Sequence, residues 1–319
     1  MDKISDNPAF GAHIVTGSAG LPTFMRQTAT RDLEDAKVAI VGIPFDGGTI
    51  RCRSSSRFAP SKIREASLNL YKAFHPIFKI YPANEITLVD YGNVAVMPMN
   101  IDDNMKAIQE EIDAILASNT TVIALGGDHS ITLPLLRSHA AKFGRLAVIH
   151  FDAHPDTWAG KICHTSAFYH ALKEGIIAPE AYIQIGIRGP NNQEEVEAVK
   201  GIGAQVLSID ECFAMGIPAV IEKITKLMGQ NPVYVSLDVD SIDPAYAPGT
   251  GTPEIGGFTS YQMLQMLRGL KGLNLVGFDI VEVCPSYDHG EITSILAANL
   301  VFEFLSLLAV NQLKSNSSQ

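Results

Sequence analysis

The sequence of 319 residues is poor in cysteine and in positive charge. Its four cysteines include no CxxC pair, which argues against a zinc site or a disulfide framework and favours a reducing compartment. They are Cys52, Cys163, Cys212 and Cys284. Acidic residues outnumber Lys and Arg by 34 to 24, which argues against a nucleic acid or an anionic membrane as partner, since either needs a basic face. We therefore expect neither kind of partner.

The chain also has no uninterrupted hydrophobic run of the roughly 18 residues that a membrane helix needs. Its N-terminal segment, MDKISDNPAFGAH, lacks the apolar core of a signal peptide, so we expect a cytoplasmic protein. A composition of 46% hydrophobic and 8% aromatic residues is typical of a folded chain and excludes a disordered one. We predict a single domain over residues 1–319, with an N-terminal arm at 1–30 and a frayed polar tail at Lys314–Gln319.

Eight short apolar runs alternate with amphipathic segments along most of the chain. The predicted strands are Val38–Gly42, Ile86–Tyr91, Thr121–Gly126, Leu146–Asp152, Tyr182–Gly186, Gln205–Ser208, Val233–Asp238 and Leu273–Asp279. The predicted helices include Asn104–Ala117, Ile217–Gly229 and Glu291–Leu313. Continuous apolar runs are typical of strands covered on both faces, and their alternation with helices indicates parallel pairing. The predicted fold is α/β, a three-layer α/β/α sandwich with a mainly parallel sheet of about eight strands.

Three of these strands end in segments rich in Asp and His: GGDHS at 126–130, FDAHPDTW at 151–158 and SLDVDSIDP at 236–244. Ligands of open α/β sheets bind at the carboxyl ends of the strands, where these segments lie. Together they supply two imidazoles and four carboxylates: His129, Asp152, His154, Asp156, Asp238 and Asp240. Four carboxylates in one place repel one another, and two divalent ions would nearly balance their charge. An oxygen and imidazole set without thiolate favours Mn²⁺, with Ni²⁺ or Co²⁺ as alternatives.

Structural roles are the alternative for each of these residues taken singly. An Asp after a strand is usually a cap or turn residue, and Asp128 fits that role or supports His129. His150 lies inside the apolar run LAVIHF, which favours a hydrogen-bonded core histidine. Three such segments in one chain favour the metal site for the six residues above.

The same segments, together with VGFDIVEVCPSYDHGEIT, resemble the signature segments of the ureohydrolases, the arginase and agmatinase family. The segments Ala247–Glu254 (APGTGTPE) and Tyr287–Thr293 (YDHGEIT) resemble agmatinases, guanidinobutyrases and guanidinopropionases more than arginases. This resemblance implies an arginase-like fold and a binuclear manganese centre on the six residues. It also implies hydrolysis of the guanidinium C–N bond of a small compound to urea and an amine. A homo-oligomer, trimer or hexamer, is implied as well.

The resemblance also assigns residues to the reaction. His164 matches the histidine of the family's catalytic loop, and Glu282 matches its guanidinium-binding glutamate, so both are predicted to contact substrate. Two metal ions lower the pKa of water enough to supply hydroxide near neutral pH. We expect Asp156 to accept the hydroxide proton and stabilise the tetrahedral intermediate, and His164 to protonate the departing amine. A bidentate carboxylate pair suits Glu282 to the guanidinium.

Two loops depart from the family pattern. The run Arg53-Ser54-Ser55-Ser56-Arg57 replaces Arg-Pro-Gly-Ala-Arg, and His164–Phe168 reads HTSAF where relatives have Gly and Thr after the histidine. Both loops lie near the substrate tail in the family, so we predict tail contacts from Arg53 and Ser54. Arg51, Arg53 and Arg57 could pair with a carboxylate, which slightly favours an acid-tailed or neutral guanidine over agmatine. Three alternatives stay open: a hydrolase of a formimino compound, guanidine or a biguanide; a catalytically silent partner subunit; and a polyamine-binding module.

Overall fold

The computed structural model describes residues 21–317 apart from residues 52, 98–99 and 191–192, and side chains as far as Lys314. All eight predicted strands form, and they make one sheet in which every neighbouring pair is parallel. Their order across the sheet is β2-β1-β3-β8-β7-β4-β5-β6. The bounds are β1 Val38–Gly42, β2 Leu88–Asn93, β3 Thr121–Leu125, β4 Leu146–Phe151, β5 Ile177–Ile187, β6 Gln205–Ser208, β7 Val233–Asp238 and β8 Leu275–Val281.

In the described part of the chain, ten α-helices cover the two faces of the sheet. They are α1 Ala59–Ser67, α2 Pro82–Glu85, α3 Ile101–Ala117, α4 Thr132–Phe143, α5 Ala167–Lys173, α6 Gln193–Gly201, α7 Ile209–Met215, α8 Ile217–Met228, α9 Ser260–Gly269 and α10 Ile292–Ser317. Helices α1, α7, α8, α9 and α10 pack on one hydrophobic core, and α3 to α6 pack on the other. Successive residues of each strand face opposite cores, as Ile40 and Val41 do in β1. The three-layer sandwich is confirmed.

Several predicted boundaries differ from the structure: β2 and β8 begin and end two residues later than predicted, α3 begins three residues earlier, and larger differences concern β5 and α10. Strand β5 begins at Ile177, five residues before the prediction, because Ile177 pairs with Leu146 and the register then shifts before Tyr182 pairs with Val148. The Pro179-Glu180 step inside that shift has the composition of a turn, which hid the strand from the sequence. Helix α10 continues to Ser317, so the predicted frayed tail begins inside a helix, and residues 318–319 lie outside the described part.

Helix α10 is long and apolar enough to cross a membrane by length and composition, but 78% of its most hydrophobic window is buried inside the fold. Its Glu303 lies in that buried surface and forms ion pairs with His75, at 2.9 Å, and with Arg268. Burial alone would raise the pKa of Glu303, but these two basic partners outweigh burial and lower it. Helix α10 is therefore a core helix of this fold, anchored by a buried ion-pair network.

The sheet order brings four strands that are far apart in sequence to its centre, in the order β3, β8, β7 and β4. Buried polar residues form a row across them and into β5, because Gln184 pairs in register with His150, His150 with Ser236, and Ser236 with Asp279. The carboxyl ends of these strands meet directly above this row.

Candidate metal centre and active site

The six predicted metal ligands come together at the carboxyl ends of β3, β4 and β7. His129 begins a 3-10 turn after β3, Asp152 directly follows β4, Asp238 ends β7, and Asp240 lies in the turn after it. His154 and Asp156 continue the turn after Asp152, and Asp156 has a left-handed backbone with φ of 47°. All are buried except His154, whose side chain is 20% exposed.

His129 forms the first group of potential ligand atoms. Its Nδ1 is buried and makes no aligned hydrogen bond, yet it lies 3.2, 2.9 and 3.3 Å from Oδ2 of Asp152, Asp156 and Asp238, respectively. If Nδ1 of His129 carried a hydrogen, we would expect that N–H to point at one of these three oxygens, and it is aligned with none of them. Atoms that share one octahedral ion at about 2.1 Å lie about 3 Å apart, which is the spacing seen here. The group therefore fits a divalent cation.

The opposite nitrogen of His129 fixes which nitrogen can act as a ligand. His129 Nε2 lies 3.0 Å from the hydroxyl of Ser236, and that hydroxyl donates to Asp279 at 2.7 Å. Since the single Ser236 hydrogen goes to Asp279, the Ser236 oxygen accepts from Nε2–H of His129. Nδ1 is then the unprotonated nitrogen that a metal needs, and Asp279 holds this arrangement because Tyr234 donates to it at 2.7 Å.

His154 and Asp240 form the second group, which shares Asp152 with the first. His154 Nδ1 lies 3.0 Å from Asp240 Oδ2 and 3.5 Å from Asp152 Oδ1. The three residues bring ligand atoms close enough together to hold a metal ion. The other nitrogen of His154 faces Glu254 at 3.6 Å. Two overlapping sets with a shared carboxylate are the arrangement that a pair of bridged ions requires.

The electrostatics of the cluster also call for added positive charge. Burial and the neighbouring carboxylates raise the pKa of Asp238 well above its ordinary value, and that of Asp240 also rises. Burial alone would raise the pKa of Asp152 too, but the close contacts with the imidazoles of His129, His150 and His154 hold it well below its ordinary value. Carboxylates that are costly to ionise together are stabilised as anions by divalent cations.

His164 and Glu282 lie together beside the cluster. Glu282 directly follows β8, and its Oε1 lies 3.2 Å from Nδ1 of His164 and accepts the backbone N–H of His129 at 2.9 Å. Nε2 of His164 is buried without a hydrogen-bond partner among the described residues. Burial opposes protonation of this ring, but the Glu282 carboxylate outweighs it and raises the pKa of His164. The pair can thus keep a proton on His164 and leave Nε2 free to transfer it.

Asp128 supports both sides of this arrangement. It caps the turn that begins at His129 and accepts the backbone N–H of Gly48 at 2.7 Å, and the carbonyl of Gly48 accepts the backbone N–H of His164 at 3.0 Å. Its burial, reinforced by the Glu282 charge, raises the pKa of Asp128 to about 7. The turn role that the sequence suggested for Asp128 is observed, whereas the hydrogen-bond partner of the His129 ring is Ser236 and not Asp128.

The cluster opens into a cavity of about 400 Å³. His154, Asp156, His164 and Asp238 line its floor, and the rest of its wall includes Ile50, Arg51, Trp158, Thr165, Glu195 and Glu254. A substrate entering this cavity would reach both groups of ligand atoms and His164. The cavity therefore joins the ligand groups and the proton donor in one site.

The loop that departs from the family contributes less to this wall than predicted. Arg53 stacks on the Tyr287 ring at 4.0 Å, Ser54 donates to Asp46 at 2.8 Å, and Arg57 is ion-paired with the same Asp46. Neither Arg53 nor Ser54 lines the cavity, so this conformation provides no tail contact from them. Their predicted substrate contacts would need a rearrangement of the loop.

Sequence reasoning missed the residues that support the ligands. Ser236, Asp279 and Gln184 are single polar residues inside otherwise apolar strands, and that interruption is the signal that could have found them. His150, predicted to be a hydrogen-bonded core histidine, is one: it lies 2.8 Å from Asp152 and 3.1 Å from the Tyr182 hydroxyl. Its contact with a ligand was not foreseen.

Comparisons with known proteins agree with this geometry. Residues 36–306 match the arginase family. The chain is 39% identical to the guanidinopropionase of Pseudomonas aeruginosa, covering 93% of this chain and 94% of that protein. It is 41% identical to an agmatinase of Chromobacterium violaceum, covering 94% and 92%. The structure of proclavaminate amidino hydrolase from Streptomyces clavuligerus superposes with a TM-score of 0.88 at 38% identity, over 92% of this chain and 99% of that one. The chain therefore belongs to the arginase family.

Proposed function

We propose that this protein hydrolyses the guanidinium C–N bond of a small guanidino compound, releasing urea and an amine, with two divalent metal ions. It is an arginase-family hydrolase of non-peptide C–N bonds, and relatives bear the names guanidinopropionase and agmatinase. The observation that carries the proposal is the pair of ligand groups sharing Asp152, with His164 beside them in the lining of one cavity and Glu282 directly behind it, 3.2 Å from Nδ1 of His164.

The six ligands would hold Mn²⁺, with Ni²⁺ or Co²⁺ as alternatives, since they offer oxygen and imidazole but no thiolate. Two such ions supply a hydroxide nucleophile at neutral pH by lowering the pKa of water. Asp156 lies in the wall of the cavity beside His129, where its carboxylate can accept the proton of the attacking group.

Glu282 orients the substrate. Its Oε1 already accepts the N–H of His129, and no hydrogen bond from the described residues reaches Oε2. Oε2 can therefore accept from a substrate guanidinium, which places the guanidinium carbon next to the ligand groups.

His164 completes the reaction as the proton donor. Its raised pKa favours the charged ring, in which Nδ1–H donates to Glu282 and the buried Nε2–H can protonate the amine as the C–N bond breaks. Because Glu282 contacts His164 and raises its pKa, a substrate that binds Glu282 also affects the protonation of His164.

The cavity wall favours a carboxylate at the far end of the substrate. Arg51 lines the cavity and has no ion-pair partner in the part of the chain that the structure describes. Of the two glutamates of the wall, Glu254 faces His154 at 3.6 Å, and Glu195 has a pKa raised by burial and by the Asp156 charge, although Arg51 and His154 act in the opposite direction. We propose an acid-tailed substrate, of the 3-guanidinopropionate or 4-guanidinobutyrate type.

The test is urea release from a panel of compounds by protein loaded with Mn²⁺ or Ni²⁺. The panel contains 3-guanidinopropionate, 4-guanidinobutyrate, agmatine, arginine, guanidine and a biguanide, with ammonia release from a formimino compound measured in parallel. We expect the guanidino acids to have the highest kcat/KM, and Arg51→Gln to lower it for them but not for agmatine. A metal-loaded protein that releases urea from no member of the panel would contradict the proposal.

We propose a cytoplasmic homo-oligomer, trimer or hexamer, without a nucleic-acid or membrane partner. Analytical ultracentrifugation of the metal-loaded full chain measures the oligomeric state directly. A monomer across the micromolar range would contradict it.

A further inference from the structure

Tyr182 and Gln184 of β5 form a buried hydrogen-bonded chain with His150 of β4, and the reaction described above does not use it. All three side chains are fully buried. Gln184 pairs in register with His150, and Tyr182 lies two residues earlier on the same face of the sheet. Buried polar groups are costly without partners, so a chain of this kind inside an apolar sheet calls for a role.

The direction of every hydrogen bond in this chain is determined. The Gln184 amide nitrogen donates to the carbonyl of Pro155 at 2.7 Å, which fixes the orientation of the amide, and it also donates to the Tyr182 oxygen at 2.8 Å. The Tyr182 hydrogen is then free to donate to His150 Nδ1 at 3.1 Å. His150 consequently carries its own hydrogen on Nε2, which donates to Asp152 Oδ2 at 2.8 Å.

The ring of His150 is also held in its plane. Phe168 stacks on it with ring centroids 3.8 Å apart and meets the ring of His129 edge-on at 5.2 Å. His150 therefore has one accessible orientation, with Nε2–H directed at the carboxylate shared by both ligand groups.

We propose that Tyr182 and Gln184 are positioning residues that keep His150 as a hydrogen-bond donor to Asp152 and hold the turn that carries Asp156. One amide serves both ligands, because Gln184 reaches Asp152 through Tyr182 and His150 and reaches Asp156 through the preceding Pro155 carbonyl. The inference rests on the proposed metal centre and adds to it a fixed tautomer outside the ligand set.

The proposal excludes a role that proximity alone would allow for His150. Ligand atoms of His129, His150 and Asp152 are close enough together to hold a metal ion. A nitrogen that carries a hydrogen has no lone pair to give, so His150 in the state set by Tyr182 cannot be a ligand.

The experiment compares Mn²⁺ binding by the full-length wild type, Tyr182→Phe, Gln184→Glu and His150→Gln, with Tyr261→Phe on the exposed face of α9 as a matched control. Affinity and stoichiometry are measured by titration against a competing chelator, and thermal unfolding is measured on the metal-free proteins. Loss of a partner that orients a metal ligand typically lowers metal affinity about 10- to 100-fold. We expect Tyr182→Phe and Gln184→Glu to lose Mn²⁺ affinity by this factor. Both should still bind two ions, and their urea release should recover at saturating Mn²⁺.

Gln184→Glu should lose the most, because a carboxylate cannot donate to the Pro155 carbonyl and draws the Tyr182 hydroxyl away from His150. His150→Gln should still bind two ions at saturation, since the new amide keeps a donor near the position of Nε2. The inference is overturned if Tyr182→Phe and Gln184→Glu bind Mn²⁺ as tightly as the wild type. It is also overturned if each variant loses Mn²⁺ affinity only in proportion to the lower thermal stability of its metal-free form. Binding of a single ion by His150→Gln at saturation would overturn it as well. A wild type that binds no divalent ion would overturn the proposed function itself.

Discussion

Replacing Glu282 by glutamine separates substrate recognition from metal binding. The Oε1 position of residue 282 must stay an acceptor, because it receives the N–H of His129 at 2.9 Å and faces Nδ1 of His164 at 3.2 Å. The amide NH₂ of the variant is therefore forced into the Oε2 position, where a guanidinium needs an acceptor. Glu282→Gln thus replaces an attractive contact by one between two donors while preserving the shape of the site.

The magnitude follows from the loss of one charge-assisted hydrogen bond, worth about 1.5–3 kcal/mol. Since each 1.36 kcal/mol is tenfold in rate, kcat/KM for urea release should fall by about 10- to 150-fold at least. Two ions should remain bound, because Glu282 lies outside both ligand groups. Glu222→Gln on the exposed face of α8 is the matched control and should be silent.

The pH profile of the same variant provides a second measurement. In the wild type, Glu282 raises the pKa of His164, so the protonated acid persists to a higher pH and is lost as the pH rises through that raised value. In the variant the carboxylate charge is gone, so the alkaline limb of kcat should move to lower pH. An unchanged kcat/KM with an unchanged alkaline limb would refute the role of Glu282, and loss of metal would show that it belongs to the ligand set.

Three further predictions concern stability and local packing. Removing the metal with a chelator should lower the free energy of unfolding by about 2.7 kcal/mol for each ion that was present at a hundredfold excess over its Kd. For a chain of this length, that loss lowers Tm by about 4 °C per ion. Calorimetry with and without chelator measures the difference. Glu303→Leu removes the carboxylate that pairs with both Arg268 and His75. The variant should lose about 2–4 kcal/mol of its free energy of unfolding at neutral pH. Because the folded-state pKa of Glu303 is lowered, that difference should persist at high pH and vanish as the pH falls through the lowered value, as urea unfolding at several pH values would reveal. Gly127→Ala would put a Cβ 1.8 Å from the Phe45 carbonyl oxygen, two residues before the ligand His129, and should abolish metal binding. In the control Gly201→Ala, the new Cβ meets nothing within 4 Å, so this variant should be tolerated. Equal metal content in the two variants would contradict the prediction.

The strands and the ligands were accessible to sequence reasoning for the same physical reason. A parallel strand covered on both faces reads as a continuous apolar run, and ligands at its carboxyl end interrupt that run with Asp and His. Asp152 and Asp238 are visible in this way. Strand β5 was visible only in part, because its first residues include Pro179 and pair across a register shift.

The supporting residues could not be assigned because their partners depend on strand order. His150 pairs in register with Gln184 on one side and with Ser236 on the other, and Ser236 pairs with Asp279, because β5, β4, β7 and β8 are neighbours. Local sequence does not specify that β7 and β8 pass between β3 and β4. The same limit applies to Arg53 and Ser54, whose contacts with Tyr287 and Asp46 no motif indicates.

The strand order has a consequence for how the protein can be assembled. Strands β7 and β8 are last in the chain but occupy the centre of the sheet, between β3 and β4. A chain synthesised as far as residue 232 has only the strands of two separate parallel sheets, β2-β1-β3 and β4-β5-β6, in which β3 and β4 would lack their native partners on one edge. His129 and Asp152 then lie on different sheets, while Asp238 and Glu282 have not yet been made. Metal acquisition is thus a late event in biogenesis, and chaperone dependence should be concentrated in the interval before the last two strands insert.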